Sequence, residues 1–122
     1  MTAAKKYDFD NWDEAQELAI LREYAGELNQ VRHIIVGNRV VFEMPDRKIV
    51  ELPLTVTARD MIELMETSQG EQDTIMLMRL LDRLGEKDTS ERLGTYHLST
   101  LAKVATTYFE LVGKVTELSL GK

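Results

Sequence analysis

A chain of 122 residues, 43% hydrophobic and 30% charged, is long enough for one compact domain with its own apolar core and too hydrophobic to stay disordered as a whole. Twenty-one acids against fifteen Lys and Arg give a formal charge of -6, which disfavours recognition of a phosphate backbone and so a nucleic-acid partner. The absence of cysteine removes disulfides, thiolate nucleophiles and sulfur-ligated metals, and no apolar run reaches the roughly 20 residues that span a bilayer.

The opening "MTAAKKYDFD" carries no apolar stretch of the kind that directs export. A single domain is expected over residues 1–122, with 1–10 a flexible lead and 119–122 a flexible tail. Asp13 and Glu14 stand at the head of the pattern Leu18, Leu21, Ala25, Leu28, where acids favour the positive end of a helix dipole. The spacing predicts an amphipathic helix from Asn11 to Gln30, weakened at Gly26. In "HIIVGNRVVFEMPDRKIVELPL" the period changes. Ile34, Ile35, Val36, Val40, Val41, Ile49 and Val50 are punctuated by Gly37-Asn38 and Pro45-Asp46, which predicts an antiparallel hairpin or a three-stranded sheet near residues 33–53. So small a sheet needs helices against it.

Pro53 ends the last strand. Thr57, with Asp60 three positions on, has the form of a helix N-cap, and Met61, Leu64 and Met65 follow on one side. "TSQGEQD" breaks that helix at Gly70. Ile75, Leu77, Met78, Leu80, Leu81 and Leu84 then form a third helix, apolar enough to be buried on most sides, that stops at Gly85. "EKDTSERLGTYH" reads as a polar connection holding one helical turn. From Tyr96-His97 or Ser99 onward, Leu98, Leu101, Ala105, Tyr108, Val112 and Val115 recur in steps of three and four, the mark of a long final helix. The fold class expected is α+β, predominantly α-helical, with about four helices beside the small sheet.

Recognisable catalytic or metal constellations are missing from the pattern. His33 and His97 have no second imidazole at ligand spacing, so no metal site is expected. Ser68, Ser90, Ser99 and Ser119 lie in no nucleophile elbow, and the dispersed glycines form no phosphate loop. Glu63, Glu66, Glu71 and Asp73 read as the solvated face of helices rather than an acid–base pair. The expectation is a protein without catalytic residues or cofactors.

Two features suit binding. Met61, Met65, Met76 and Met78 fall in the second and third helices, where flexible thioethers serve either as core filler or as a surface that accepts varied apolar partners. The stripe Leu98, Leu101, Tyr108, Val112 and Val115 has the same two readings, internal packing or a partner face. The candidate client-binding set is therefore Met61, Met65, Met76, Met78, Leu101, Tyr108, Val112 and Val115. An apolar stripe also leaves room for a homo-oligomer.

The acidic start "YDFD", the strand running into a helix in "VELPLTVTARDMIEL", the closing "LLDRLGE" and the last helix "HLSTLAKVATTYFELVG" together resemble the tail assembly chaperones of long-tailed, siphovirus-like bacteriophages. The resemblance covers roughly Val40 to Gly113 and rests on patterned hydrophobic strings; the first helix is longer than the family's. It implies a non-enzymatic protein of the infected bacterial cytoplasm, absent from the mature virion. Such a protein binds and solubilises the tape measure protein and promotes assembly of the tail tube protein around it. It further implies a longer, frameshifted form of the same chain, often made over codons for Gly-Lys, the dipeptide found here at Gly121-Lys122. Two other readings are a small structural tail or connector protein retained in the virion and an acidic regulatory module that binds another protein.

Overall fold

A two-residue turn at Gly37-Asn38 and a three-residue turn after Met44 fold the middle of the chain into a meander, and the helices that follow it in sequence close over one face. The computed structural model describes residues 7–67 and 72–119. Over these the order is α1 (Glu14–Leu28), β1 (Arg32–Val36), β2 (Arg39–Glu43), β3 (Ile49–Pro53), α2 (Ala58–Thr67), α3 (Asp73–Arg83), α4 (Lys87–Leu93) and α5 (Leu98–Ser119). This is the expected α+β, mainly helical fold, with a three-stranded antiparallel sheet in the order β1-β2-β3. The helix break expected at Gly70, the terminal Gly121-Lys122 and most of the segments expected to be flexible lie outside the described residues. Among the described residues no helix is long and apolar enough to cross a membrane.

Turn chemistry sets the register. Gly37 has φ +63°, and glycine in the first central position of a two-residue loop is the requirement of a type II′ hairpin, whose twist matches that of the strands. It pairs Val36 with Arg39, Ile34 with Val41 and Arg32 with Glu43. The second turn is closed by Met44 N–H on the Lys48 carbonyl (2.9 Å) and Arg47 N–H on the Met44 carbonyl (2.8 Å), with Arg47 itself at φ +71°. It sets Phe42 against Val50 and Val40 against Leu52. Alternation then delivers Val40, Phe42, Met44, Val50 and Leu52 to one face, where each is essentially fully buried.

Helix ends follow their local chemistry. Asp13 caps α1 in a reciprocal box with Gln16, so the helix starts at Glu14 and not at Asn11. Thr57 and Asp60 form the same box ahead of α2, with Asp60 N–H on Thr57 Oγ1 at 3.1 Å and Thr57 N–H on Asp60 Oδ2 at 3.3 Å. At the end of α3, Gly85 sits at φ +79°, Glu86 N–H donates to the Leu81 carbonyl and Gly85 N–H to that of Asp82, a Schellman closure. His97 opens α5 by accepting the Ser99 N–H on Nδ1 at 3.0 Å.

Three expectations need correction. The polar connection holds a seven-residue helix, α4, because Ser90 and Leu93, three apart, both turn inward and give it a buried edge that a mostly charged string conceals. Helix α3 is not buried on most sides: Thr74, Leu77, Leu80 and Leu81 are, while Ile75, Arg79, Asp82 and Arg83 face out. Helix α1 buries none of its residues. Of the pattern Leu18, Leu21, Ala25, Leu28, Ala25 and Leu28 are half-buried and the two leucines ahead of them are about half exposed.

The core joins the inner face of the sheet to Leu64, Leu77, Leu80, Leu81, Leu93, Leu101, Val104, Ala105 and Tyr108. Tyr108 is its largest side chain and has no exposed surface. Its hydroxyl donates to the Pro53 carbonyl at 2.6 Å, satisfying the one polar atom that the ring brings inside. Burial pushes the phenol up to about 12.

Candidate functional site

The structure divides the eight residues proposed from sequence. Tyr108 (0% exposed) and Leu101 (8%) belong to the core, so Tyr108 offers no surface and Leu101 only an edge. Met61, Met76, Met78 and Val112 are half-buried and pack against that core, the filler role of a flexible side chain. Met65 (61% exposed) and Val115 (48%) stand at the surface, Met65 on α2 and Val115 on the stretch of α5 beyond Val112 where every described residue is exposed.

One arrangement gathers part of the predicted set. Between α3 and α5 lies an open groove of about 410 Å³ lined by Ile75, Met78, Leu98 and Leu101 together with Thr74, Arg79 and Asp82. Helical spacing places it there. Met78 and Arg79 lie three and four positions after Ile75 along α3, and Asp82 lies four and three after them, while Leu98 and Leu101 are three apart at the start of α5. Ile75 is 43% and Leu98 65% exposed. The lining is thus mainly apolar and accessible, with one positive and one negative residue in it. This is the form that receives an amphipathic helix laid along its length.

Sequence periodicity missed other apolar surface. Trp12 and, on α1, Leu18, Ile20, Leu21 and Tyr24 are each about half exposed, and so are Ile34, Ile35 and Val36 of β1. Leu18 and Leu21 belong to the pattern expected to be the apolar face of the first helix, but among the described residues no element covers that face so far along; Trp12, Ile20 and Tyr24 lie outside the pattern. Helix α1 meets α5 near its C-terminal end, where the Thr100 hydroxyl donates to the Leu28 carbonyl at 2.7 Å and Tyr24 stands edge-on to His97 at 5.8 Å.

The polar groups are used to join elements. Arg83 meets Asp60 at 2.8 Å and also pairs with Glu63, tying α3 to α2. The hydrogen bond from Arg83, with those of Thr57, holds the Asp60 carboxyl below its ordinary range. Arg39 reaches Glu51 at 3.1 Å and Glu86 at 3.6 Å. The Tyr96 hydroxyl donates to Asp46 at 3.0 Å, fastening the second turn of the sheet to the loop before α5. For Asp46, desolvation acts upward, yet the Lys48 N–H and the Tyr96 hydroxyl leave its carboxyl lowered on balance. His33 lies tilted against Phe42 with ring centres 5.9 Å apart and His97 caps α5, so both imidazoles have structural neighbours. Compared with known proteins, the chain matches no family model, no curated protein and no solved structure.

Proposed function

We propose that this protein is a tail assembly chaperone of a long-tailed phage. In this reading it holds apolar helical segments of the tape measure protein in soluble form and hands them to the assembling tail tube, without catalysis. It acts in the cytoplasm of the infected bacterium and is left out of the finished virion. The observation that carries the reading is the α3–α5 groove, with Ile75 and Leu98 exposed over Met78 and Leu101. The "LLDRLGE" string, which closes α3, and the "HLSTLAKVATTYFELVG" string, which makes up most of α5, are among those on which the resemblance rests. A holding protein gains affinity by covering apolar client surface at roughly 25 cal/mol per Å² and must release it to a better competitor. A shallow groove with a Met in its lining suits repeated, non-identical helical segments, and a net charge of -6 favours solubility of the loaded complex.

The test is co-expression with a tape measure protein from the same phage genome, reading the fraction of client that stays soluble and co-elutes. The wild-type chain should keep the client in solution, and Ile75→Glu with Leu98→Glu should return it to the pellet, since both side chains are exposed and the changes leave the core intact. A client whose solubility ignores the protein would sink the proposal. Stoichiometric recovery of the protein from purified virions would instead favour a structural tail component.

A further inference from the structure

The two edges of the sheet are treated differently. In the β2–β3 pairing the hydrogen-bonded partners are Phe42 with Val50 and Val40 with Leu52, as the closure of the second turn at Met44 and Lys48 dictates. The backbones of Ile49, Glu51 and Pro53 therefore point outward, and each of their carbonyls is taken by a side chain. Arg92 donates to Ile49 at 3.0 Å, Arg39 to Glu51 at 3.5 Å and Tyr108 to Pro53 at 2.6 Å. Pro53 has no N–H to offer.

On β1 the first turn fixes Val36, Ile34 and Arg32 as the residues bonded to β2, which turns the N–H and C=O groups of His33 and Ile35 outward. Among the described residues nothing meets those four groups. Of the usual guards, "RHIIV" has only the charge of Arg32 at its start and its short length: no proline, no lysine, no bulge. Ile34, Ile35 and Val36 are 63%, 51% and 59% exposed, so both faces of the strand as well as its edge are apolar and open.

We propose that β1 is the seam of a homodimer, pairing antiparallel with β1 of a second copy about a two-fold axis at Ile34, to make one continuous six-stranded sheet. The register follows from the strand itself. Only a pairing that sets His33 of one copy against Ile35 of the other joins outward-facing groups and keeps all five residues opposite a partner. It places Ile34 against Ile34 and Arg32 against Val36, so no like charges meet, and Arg32 already carries its own counter-ion in Glu43 at 2.5 Å. Centring on His33 would oppose two imidazoles, and centring on Ile35 would run Arg32 into the Gly37-Asn38 turn. On the outer face the row Val41, Ile34 joins the same row of the second copy, closing an apolar strip. Five paired residues cover less than the roughly 800 Å² per partner of a standard interface, so the dimer is weak. Two chains of charge -6 also repel, so added salt tightens the dimer, whereas it would weaken the docking of a basic partner strand.

The experiment is sedimentation equilibrium of the full chain from about 1 µM to about 500 µM, at low and at moderate salt. The wild type should move from 14.0 kDa toward twice that mass, more readily with salt. Ile35→Pro removes only an outward N–H and should hold the chain monomeric with its circular dichroism unchanged. Ile34→Lys and Ile34→Glu, at an exposed position, should each be monomeric alone and recover the dimer when mixed, because position 34 faces itself. A wild type that stays monomeric throughout, or a dimer that survives Ile35→Pro, overturns the proposal; so does a dimeric wild type whose Lys and Glu variants fail to pair with one another.

Discussion

At the scale of single residues, Tyr108 is the side chain whose role sequence could least foresee. Its place in the stripe of the last helix suits a partner face as well as a core. What decides between them is the Pro53 carbonyl, 55 positions away in sequence, which takes its hydroxyl at 2.6 Å. Tyr108→Phe leaves that carbonyl without its donor inside the core, and should lower unfolding stability by about 1 to 3 kcal/mol in urea titrations near neutral pH. The same phenol gives a pH signature. Its folded pKa of about 12 stands above the ordinary value of 10.0, so the neutral form is favoured in the folded state. The resulting stability is complete below pH 10 and is lost as pH rises from there through 12. Between about pH 8 and about pH 11 the wild type should therefore lose more stability than Tyr108→Phe; parallel losses would mean that the phenol is not sheltered. Met65 and Val115 were legible as apolar and helical, but periodicity reports a face and not what lies over it.

At the scale of elements, the sequence was most readable where a local motif dictates geometry. Thr57 with Asp60, and Gly85 after an apolar run, each place a helix end through bonds made within six residues. Thr57→Ala should cost about 1 kcal/mol by removing the acceptor of the Asp60 N–H. Asp60 is held below its ordinary pKa first by Arg83 and then by Thr57. Its contribution is therefore present above pH 3.8 and fades as pH falls through the lowered folded value. Thermal melts across the acid range should show a shallower loss in Asp60→Asn than in the wild type; equal slopes would argue against the Asp60–Arg83 tie. Helix α4 was less readable because seven residues with two inward side chains, Ser90 and Leu93, carry too little periodicity to stand out from a polar loop.

At the scale of the whole molecule, the fold class followed from the change of period between residues 30 and 54 and its return afterwards, and the structure agrees with it. The candidate groove was half legible: Met78 and Leu101 were on the predicted list, Ile75 stood in a helix expected to be mostly buried, Leu98 in a stripe with two open readings, and only the packing of α3 on α5 joins the four. The tether of α1 through Leu28 and Tyr24, with no residue of that helix buried, predicts uneven stability. In the monomer its amides should exchange with solvent at least about 100-fold faster than those of β2; equal protection would show that α1 is covered in solution. The three side-chain donors on the outer edge of β3 have a consequence for how far any assembly can run. A sheet open at both edges adds copies without limit and grows a fibre, as every heterologous, non-closing contact does. With the carbonyls of Ile49, Glu51 and Pro53 already engaged by Arg92, Arg39 and Tyr108, a strand arriving at β3 finds only the N–H groups of Ile49 and Glu51 to pair with, so addition there is disfavoured. In the proposed β1 dimer this asymmetry would let the assembly close at two copies, with Arg92 among the side chains that blunt the edge left over.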